Sequence, residues 1–235
     1  MPYRQGWSLQ RRLAQARRSG EITDDCLLLL EHPPTYTMGR TGEAAHLGAG
    51  VEHLTALGAD YLEVDRGGSV TFHGPGQLVA YPIVRVPDIF PLEASRGSGD
   101  VIRYVRSLEQ AVIATVGEHG IVATARPPHT GVWVGGGAKK LASIGVKVAG
   151  GVSTHGIALN VSTDLDWFSH IVPCGIAGAA VTSLDQLGAR CVSVRACSEQ
   201  LAAALAGVFG SRIAEADEAL RSLVAAHLHG ETLAA

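Results

Sequence analysis

An α+β fold is what this sequence predicts, and three observations lead to it. Periodic segments run in the order helix, strands, long helix, strands, two helices, without the strand–helix alternation of a parallel sheet. Of the 235 residues, 46% are hydrophobic and 17% charged, the composition of an ordered chain with a sizeable core. No internal repeat or low-complexity linker divides it, so residues 1–235 read as one domain, with a small helical part from about residue 190.

Each element rests on its own pattern. Residues 6–19 form an amphipathic helix with Trp7, Leu9 and Leu13 on its inner face. Cys26–Glu31 (CLLLLE) is a short apolar run with polar neighbours, hence a buried strand. Arg66–Gln77 is rich in glycine and polar groups and reads as loop; residues 78–86 are again a strand. Pro91, Gly97 and Gly99 break the chain over 88–100. Val101, Val105, Leu108, Val112 and Val116 then recur at helical spacing, with Gly120 where that helix stops. Strands are expected over 130–134, 140–148 and 155–161, and helices over 194–209 and 213–228.

A net charge of −3 provides no field that would draw the chain to nucleic acid. Residues 1–20 do hold Arg4, Arg11, Arg12, Arg17 and Arg18 without an acidic residue. That patch is a solvated helix face or a dock for an acidic protein; a transit peptide is the weaker third reading, because Trp7, Leu9 and Leu13 look like the inner face of an ordinary helix. No signal-peptide core and no bilayer-length apolar run is present, and the four cysteines show no CxxC pair. The expectation is a reduced, cytoplasmic protein without membrane contact and without structural zinc.

Cys174 lies in Ile-Val-Pro-Cys-Gly-Ile, between a proline and a glycine, the setting of a turn. Gly178, Ala179 and Ala180 follow and leave room for a substrate. An ordinary buried cysteine is an inert small hydrophobe, and Cys26, Cys191 and Cys197 are read that way. A nucleophilic cysteine reacts as the thiolate, and a free thiol titrates near about 8.5. A histidine or lysine must therefore stand close by to lower that value.

Strict alternation over 140–148 puts Lys140, Ala142, Ile144, Val146 and Val148 on one face. Lys139, Leu141, Ser143, Gly145 and Lys147 take the other. A lysine heading an apolar face either snorkels to water or is partly buried, and partial burial makes a proton shuttle. Both readings stay open; of the three lysines, Lys140 is the one paired here with Cys174.

The glycines of Arg66–Gln77 let a backbone pass close to a ligand. Neither a P-loop nor a dinucleotide fingerprint is present. The segment is two hairpin turns or a binding loop, and Arg66 and His73 favour the loop. Thr154-His155-Gly156 opens a strand, where the histidine sits at a pocket rim or simply at a turn.

Further motifs fall in one order over roughly residues 3–187: Leu30–Pro33, Tyr36–Arg40, Arg66-Gly67-Gly68 with Thr71, and His73–Gln77. Gly131-Val132-Trp133, Lys140–Gly145, His155–Asn160 and Ile171–Ile176 follow. This series resembles the lipoyl(octanoyl) transferase family, the octanoyltransferases of lipoate biosynthesis. The resemblance implies the biotin and lipoate ligase catalytic-domain fold, with mixed β-sheets flanked by helices. It implies a catalytic dyad of Cys174 and Lys140. It also implies an acyl pocket lined by Arg66, Gly67, Gly68, Ser69, Val70, Thr71, Phe72 and His73, by Ser143, Ile144 and Gly145, and by His155, Gly156 and Ile157. The implied donor is octanoyl–acyl carrier protein. The implied acceptors are apo lipoyl domains of 2-oxoacid dehydrogenases and the glycine-cleavage H protein.

No cofactor, metal or ATP is expected, and the chain is expected to act as a monomer. Oxyanion donors are expected from Ser143–Gly145 and from the turn at Cys174. Family members usually carry a strand before the first helix; here helical sequence begins at Tyr3, so the start is truncated or misassigned, or an edge strand is missing. The 92–99 loop is longer than is usual in the family. Two rival readings are an ATP-dependent lipoate–protein ligase, which needs no cysteine, and a non-catalytic acyl-binding module.

Overall fold

Gln77–Ile83 (QLVAYPI) is apolar with hardly a break, and every one of its residues is buried. Such a strand must be covered on both faces, and the rest of the fold supplies the two covers. The computed structural model describes residues 1–48, 50–93, 97–172, 180–189 and 192–232, without the side chains of 231 and 232.

In chain order, helix α1 (Tyr3–Ser19) is followed by strands β1 (Cys26–Leu30) and β2 (Thr35–Met38) and the short helix α2 (Val51–Ala56). Strands β3 (Asp60–Glu63), β4 (Val70–His73) and β5 (Gln77–Ile83) come next, then the single turn α3 (Val86–Ile89) and the long helix α4 (Val101–Gly117). Strands β6 (Ala123–Arg126), β7 (His129–Val134), β8 (Lys139–Ala149), β9 (Val152–Asn160) and β10 (Ala180–Val181) precede helices α5 (Val194–Phe209) and α6 (Glu218–Thr232).

The larger sheet has the order β1-β5-β9-β8-β7-β6, and β10 pairs in parallel with the start of β8. Alternation along β5 divides its side chains. Leu78 and Ala80 enter a core with Leu108 and Val112 of α4 and Leu201 and Leu205 of α5. Val79, Tyr81 and Ile83 face Leu9 and Leu13 of α1, with Leu220 and Leu223 of α6 packed alongside. The two C-terminal helices thus lie on opposite faces of one sheet.

A smaller sheet, β3-β2-β4, has parallel and antiparallel pairs. Tyr36, Met38, Val70 and Phe72 pack there with Leu54 of α2 and Phe168. The fold is therefore α+β with two mixed sheets and flanking helices. Among the described residues no helix is long and apolar enough to cross a membrane.

Several boundaries differ from the sequence reading. The strand expected over 78–86 ends at Ile83, because β1 pairs only as far as that residue and α3 begins at Val86. β1 is half-buried along most of its length rather than buried, since it forms the sheet edge. The Arg66–Gln77 stretch is not all loop: β4 lies inside it, buried throughout and paired with β2. In the arginine patch, Arg12 pairs with Glu21, and Arg17 with Asp25 at 2.9 Å and Asp88 at 3.5 Å. Two of its five cations are thus matched by acids from outside the stretch.

Candidate active site

The site grows from one irregularity in β8. Trp133 pairs with Lys140, but its neighbour Val132 pairs with Ala142, so Leu141 is an extra residue in the ladder. This β-bulge breaks the alternation expected over 140–148 at its start, at Lys140 and Leu141, while Ala142, Ile144, Val146 and Val148 share the expected apolar face. Leu141, Ala142 and Ile144 all enter the core under α4. Lys140 instead lies beside Trp133, its Nζ 5.4 Å from the indole centroid, a cation–π geometry. It shares its side of the sheet with Ser143 and Gly145 rather than with Ala142 and Ile144. The lysine is only 4% exposed, so it does not snorkel. Gly131 makes the room: a Cβ there would stand 2.6 Å from Lys140 Cε.

On that side of the sheet is a cavity of about 240 Å³. Its floor is β8 and β9, with Ser143, Ile144 and Gly145 opposite Ala158, Ile157 and Gly156. Its roof is the chain from Arg66 into β4. Gly67 N donates to Val146 O at 2.9 Å, and a Cβ on Gly145 would lie 2.8 Å from Gly67 O. Only glycine at 145 lets roof and floor come that close.

Thirteen of the fourteen sequence-expected binding residues line this cavity, and so does Lys140. They are Arg66, Gly67, Gly68, Ser69, Val70, Thr71, His73, Ser143, Ile144, Gly145, His155, Gly156 and Ile157. Phe72 is the exception. It points to the opposite face of β4, where its ring stacks on Trp167 at 5.2 Å. Cys174 lies outside the described residues, as does Cys191. The chain leading to Cys174 is anchored at Val172, whose N–H donates to His46 O at 2.8 Å. Beyond it, Val181 pairs with Lys140, and Thr182 N donates to Lys140 O at 3.0 Å. Sequence reasoning missed Tyr3, Thr41, Tyr81, Pro128, His129, Thr130 and Ala158, which also line the cavity.

A directed chain of hydrogen bonds holds the roof. Arg66 Nη2 donates to Thr37 O at 2.7 Å and to Thr37 Oγ1 at 2.8 Å. Gln77 Nε2 donates to Asn160 Oδ1, so Gln77 Oε1 accepts from His73 Nδ1 at 2.9 Å. His73 Nε2 is then the acceptor facing the Thr37 hydroxyl at 3.4 Å.

His155 is held as firmly, in the left-handed region at φ +58. A non-glycine residue there costs about 1–3 kcal/mol and needs support. Gln10 Oε1 accepts from its N–H at 2.6 Å, and its Nε2 donates to Asp65 at 2.8 Å. Lys147 binds the other Asp65 oxygen at 2.6 Å. Tyr3 OH lies 3.4 Å from His155 Nδ1.

Burial pushes His73 and His155 below the usual histidine range and takes His32 down to about 4. All three rings are neutral at neutral pH. Burial also raises the thiols of Cys26 and Cys197 to about 11, which leaves both unreactive. Among the described residues no cluster of His, Cys, Asp or Glu could hold a metal ion. What remains is a slot with neutral histidines at one end, the Arg66 guanidinium in its roof and the buried Lys140 in its lining.

Comparison with known proteins adds the following. The profile of the lipoyl protein ligase A/B catalytic domain matches residues 2–206. A protein from Rubrobacter xylanophilus named octanoyltransferase is 51% identical over 187 residues, 79% of each chain. One of the same name from a Roseiflexus species is 46% identical over 208 residues, 88% of this chain and 83% of that one. Among solved structures, a lipoate-protein ligase A bound with ATP superposes with a TM-score of 0.74 at 16% identity. That match covers 97% of this chain and 91% of the other, and at such identity it speaks for the fold alone.

Proposed function

The chain belongs to the lipoyl protein ligase A/B catalytic domain family, and we propose that it is an octanoyltransferase of lipoate biosynthesis working through a thioester on Cys174. The donor is octanoyl–acyl carrier protein, and the acceptor is a lysine of an apo lipoyl domain. The observation that carries the reading is Lys140. It is a buried lysine in the lining of an acyl-sized slot, bonded through its backbone to the strand that follows Cys174. Only Pro173 separates Cys174 from the anchored Val172, a reach of at most about 7 Å.

The chemistry follows from the parts. The Cys174 thiolate attacks the donor thioester carbonyl, the bond to the carrier sulfur breaks, and Lys140 gives that sulfur a proton. The acceptor lysine then attacks the acyl-enzyme, expels the Cys174 thiolate as the amide forms, and Lys140 takes up the amine's proton. β7 pairs only as far as Ala142, so β8 has an open edge beyond it. Val146 turns its carbonyl to Gly67 on that edge. Alternation turns the Ile144 N–H the same way, which makes it a candidate oxyanion donor. Transfer from thioester to thioester is near balance and from thioester to amide is downhill, so the scheme consumes no ATP.

Incubation with octanoyl–acyl carrier protein should add one octanoyl mass to the intact protein, and Cys174→Ala should lose both adduct and turnover. A Cys174→Ala protein that still transfers at the wild-type rate refutes the scheme. Lys140→Ala should slow loading and transfer by about a hundredfold or more, the usual contribution of a positioned acid–base group. Product from free octanoate and ATP would point instead to a ligase.

A further inference from the structure

The slot has a rim and an inner end, and the two differ in burial. Thr41, Gly68 and Pro128 on the rim are exposed, and His129 and Thr130 are half-buried. At the inner end Tyr3 is 1% exposed, His155 1%, Tyr81 3% and His73 5%. Tyr3 comes from the first turn of α1 and is the hub of this end. Its ring lies 4.8 Å from that of His32 and 5.3 Å from that of His73, and its hydroxyl meets His155.

Strand register orders the floor between these ends. From Lys140 the cavity passes Ser143 opposite Ala158, Ile144 opposite Ile157 and Gly145 opposite Gly156, and reaches Val146 opposite His155. Past the bulge, the three steps from Ser143 to Val146 span roughly 10 Å at about 3.3 Å per residue. An extended octanoyl chain is about 9 Å long. Polar groups of the end wall are engaged with one another: Tyr3 with His155, His155 with Asp65, Tyr81 with His32 and His73 with Gln77. Such a wall offers ring surface to a methyl terminus and no new bond to a polar one.

We propose that Tyr3, braced by His155, is the stop that sets acyl length in this enzyme. This rests on the acyl-transfer reading above. A chain two carbons longer meets the Tyr3 ring, and a shorter one leaves the inner end unfilled. Ala158 lies between the stop and Lys140, so extra bulk there shortens the slot from the middle. Tyr3 and Ala158 thus make opposite predictions from one geometry.

The test is a competition among hexanoyl, octanoyl, decanoyl and dodecanoyl thioesters of acyl carrier protein, with the covalent adduct read by intact mass. Tyr3→Leu should raise decanoyl loading relative to octanoyl by about tenfold or more, the value of one to two methylenes in an apolar pocket. Ala158→Val should lower octanoyl loading relative to hexanoyl by about tenfold. If Tyr3→Leu does not melt cooperatively, the Ala158→Val ratio decides alone. A wild type that loads octanoyl while both variants keep its ratios overturns the stop and leaves the acyl-transfer reading intact. A wild type that loads no acyl group overturns that reading, and the stop with it.

Discussion

Glu109 of α4 is 1% exposed, yet it is ionic chemistry rather than packing that accounts for it. One of its carboxylate oxygens accepts from Gly131 N at 2.9 Å, and Arg106 Nη1 donates to both oxygens at 2.8 and 2.6 Å. Gly131 is the residue whose missing side chain leaves space for Lys140, so Glu109 fixes the lysine's surroundings from the far side of β7. Glu109→Ala should cost about 2–3 kcal/mol, because it strands a buried N–H and removes the partner of a half-buried guanidinium. A urea midpoint within experimental error of wild type would show that the contact carries no weight. The sequence reading singled out Lys140, but the route to it differs from what the structure shows. Regular alternation gave it apolar neighbours, whereas a bulge at Leu141 turns it toward Trp133 and the cavity. Nothing in KKLAS marks a bulge, since the extra residue is set by how β7 and β8 meet. Phe72 failed for the opposite reason. Had 70–73 been read as a strand, period-two alternation would have sent Phe72 away from Thr71 and His73.

Helix α1 shows how much an element can do without announcing it. Its sequence gave the helix and its apolar stripe, and the structure extends it to Tyr3. Two of its polar contacts, at Tyr3 and Gln10, reach across to β9 and hold His155 in an unfavourable backbone conformation. Gln10 is fully buried, and its oxygen is the acceptor for the His155 N–H. Gln10→Ala should therefore destabilise the protein by about 2 kcal/mol through an orphaned buried donor. The midpoint of urea unfolding should fall while the slope stays constant; an unchanged midpoint would mean that His155 finds another acceptor. Helices with strong periodicity were legible almost to the residue, α4 and α5 in particular. Strands β2, β3 and β4 were not read from TYTM, DYLE and VTFH. Each is four residues long and hydrogen-bonds to a segment distant in sequence, so no local period identifies it.

Across the whole molecule, the order of periodic segments was enough for the α+β class, while the second sheet and the rim of the slot came only from how the pieces assemble. That assembly has a consequence for acid stability. His32 lies where the two sheets and α1 converge: its Nδ1 donates to Met1 O at 2.7 Å, and its Nε2 accepts from Tyr81 at 2.8 Å. His73 and His155 stand beside it, and burial lowers all three. A base with a lowered folded value binds its proton more readily in the unfolded chain. Above about pH 6.5 these rings are neutral in both states and leave stability unchanged. As pH falls from there, the unfolded state gains protons that the fold refuses. For His32 the drop from 6.5 to about 4 amounts to about 3 kcal/mol once pH 4 is reached. Asp65 extends the trend. The hydrogen bond from His155, and then that from Lys147, holds its carboxyl below the ordinary 3.8. The stability it contributes is present above about pH 4 and is lost as pH falls through its lower folded value. Unfolding free energy should thus decline continuously from pH 6.5 downward, steeply from the histidines first and then from Asp65. Urea titrations at pH 7.5, 6.5, 5.5 and 4.5 test this, with His32→Gln expected to flatten the decline above pH 4. A wild type equally stable at pH 7.5 and 4.5 would mean that these rings take up protons within the fold, and the neutral histidines drawn for the slot would then be wrong.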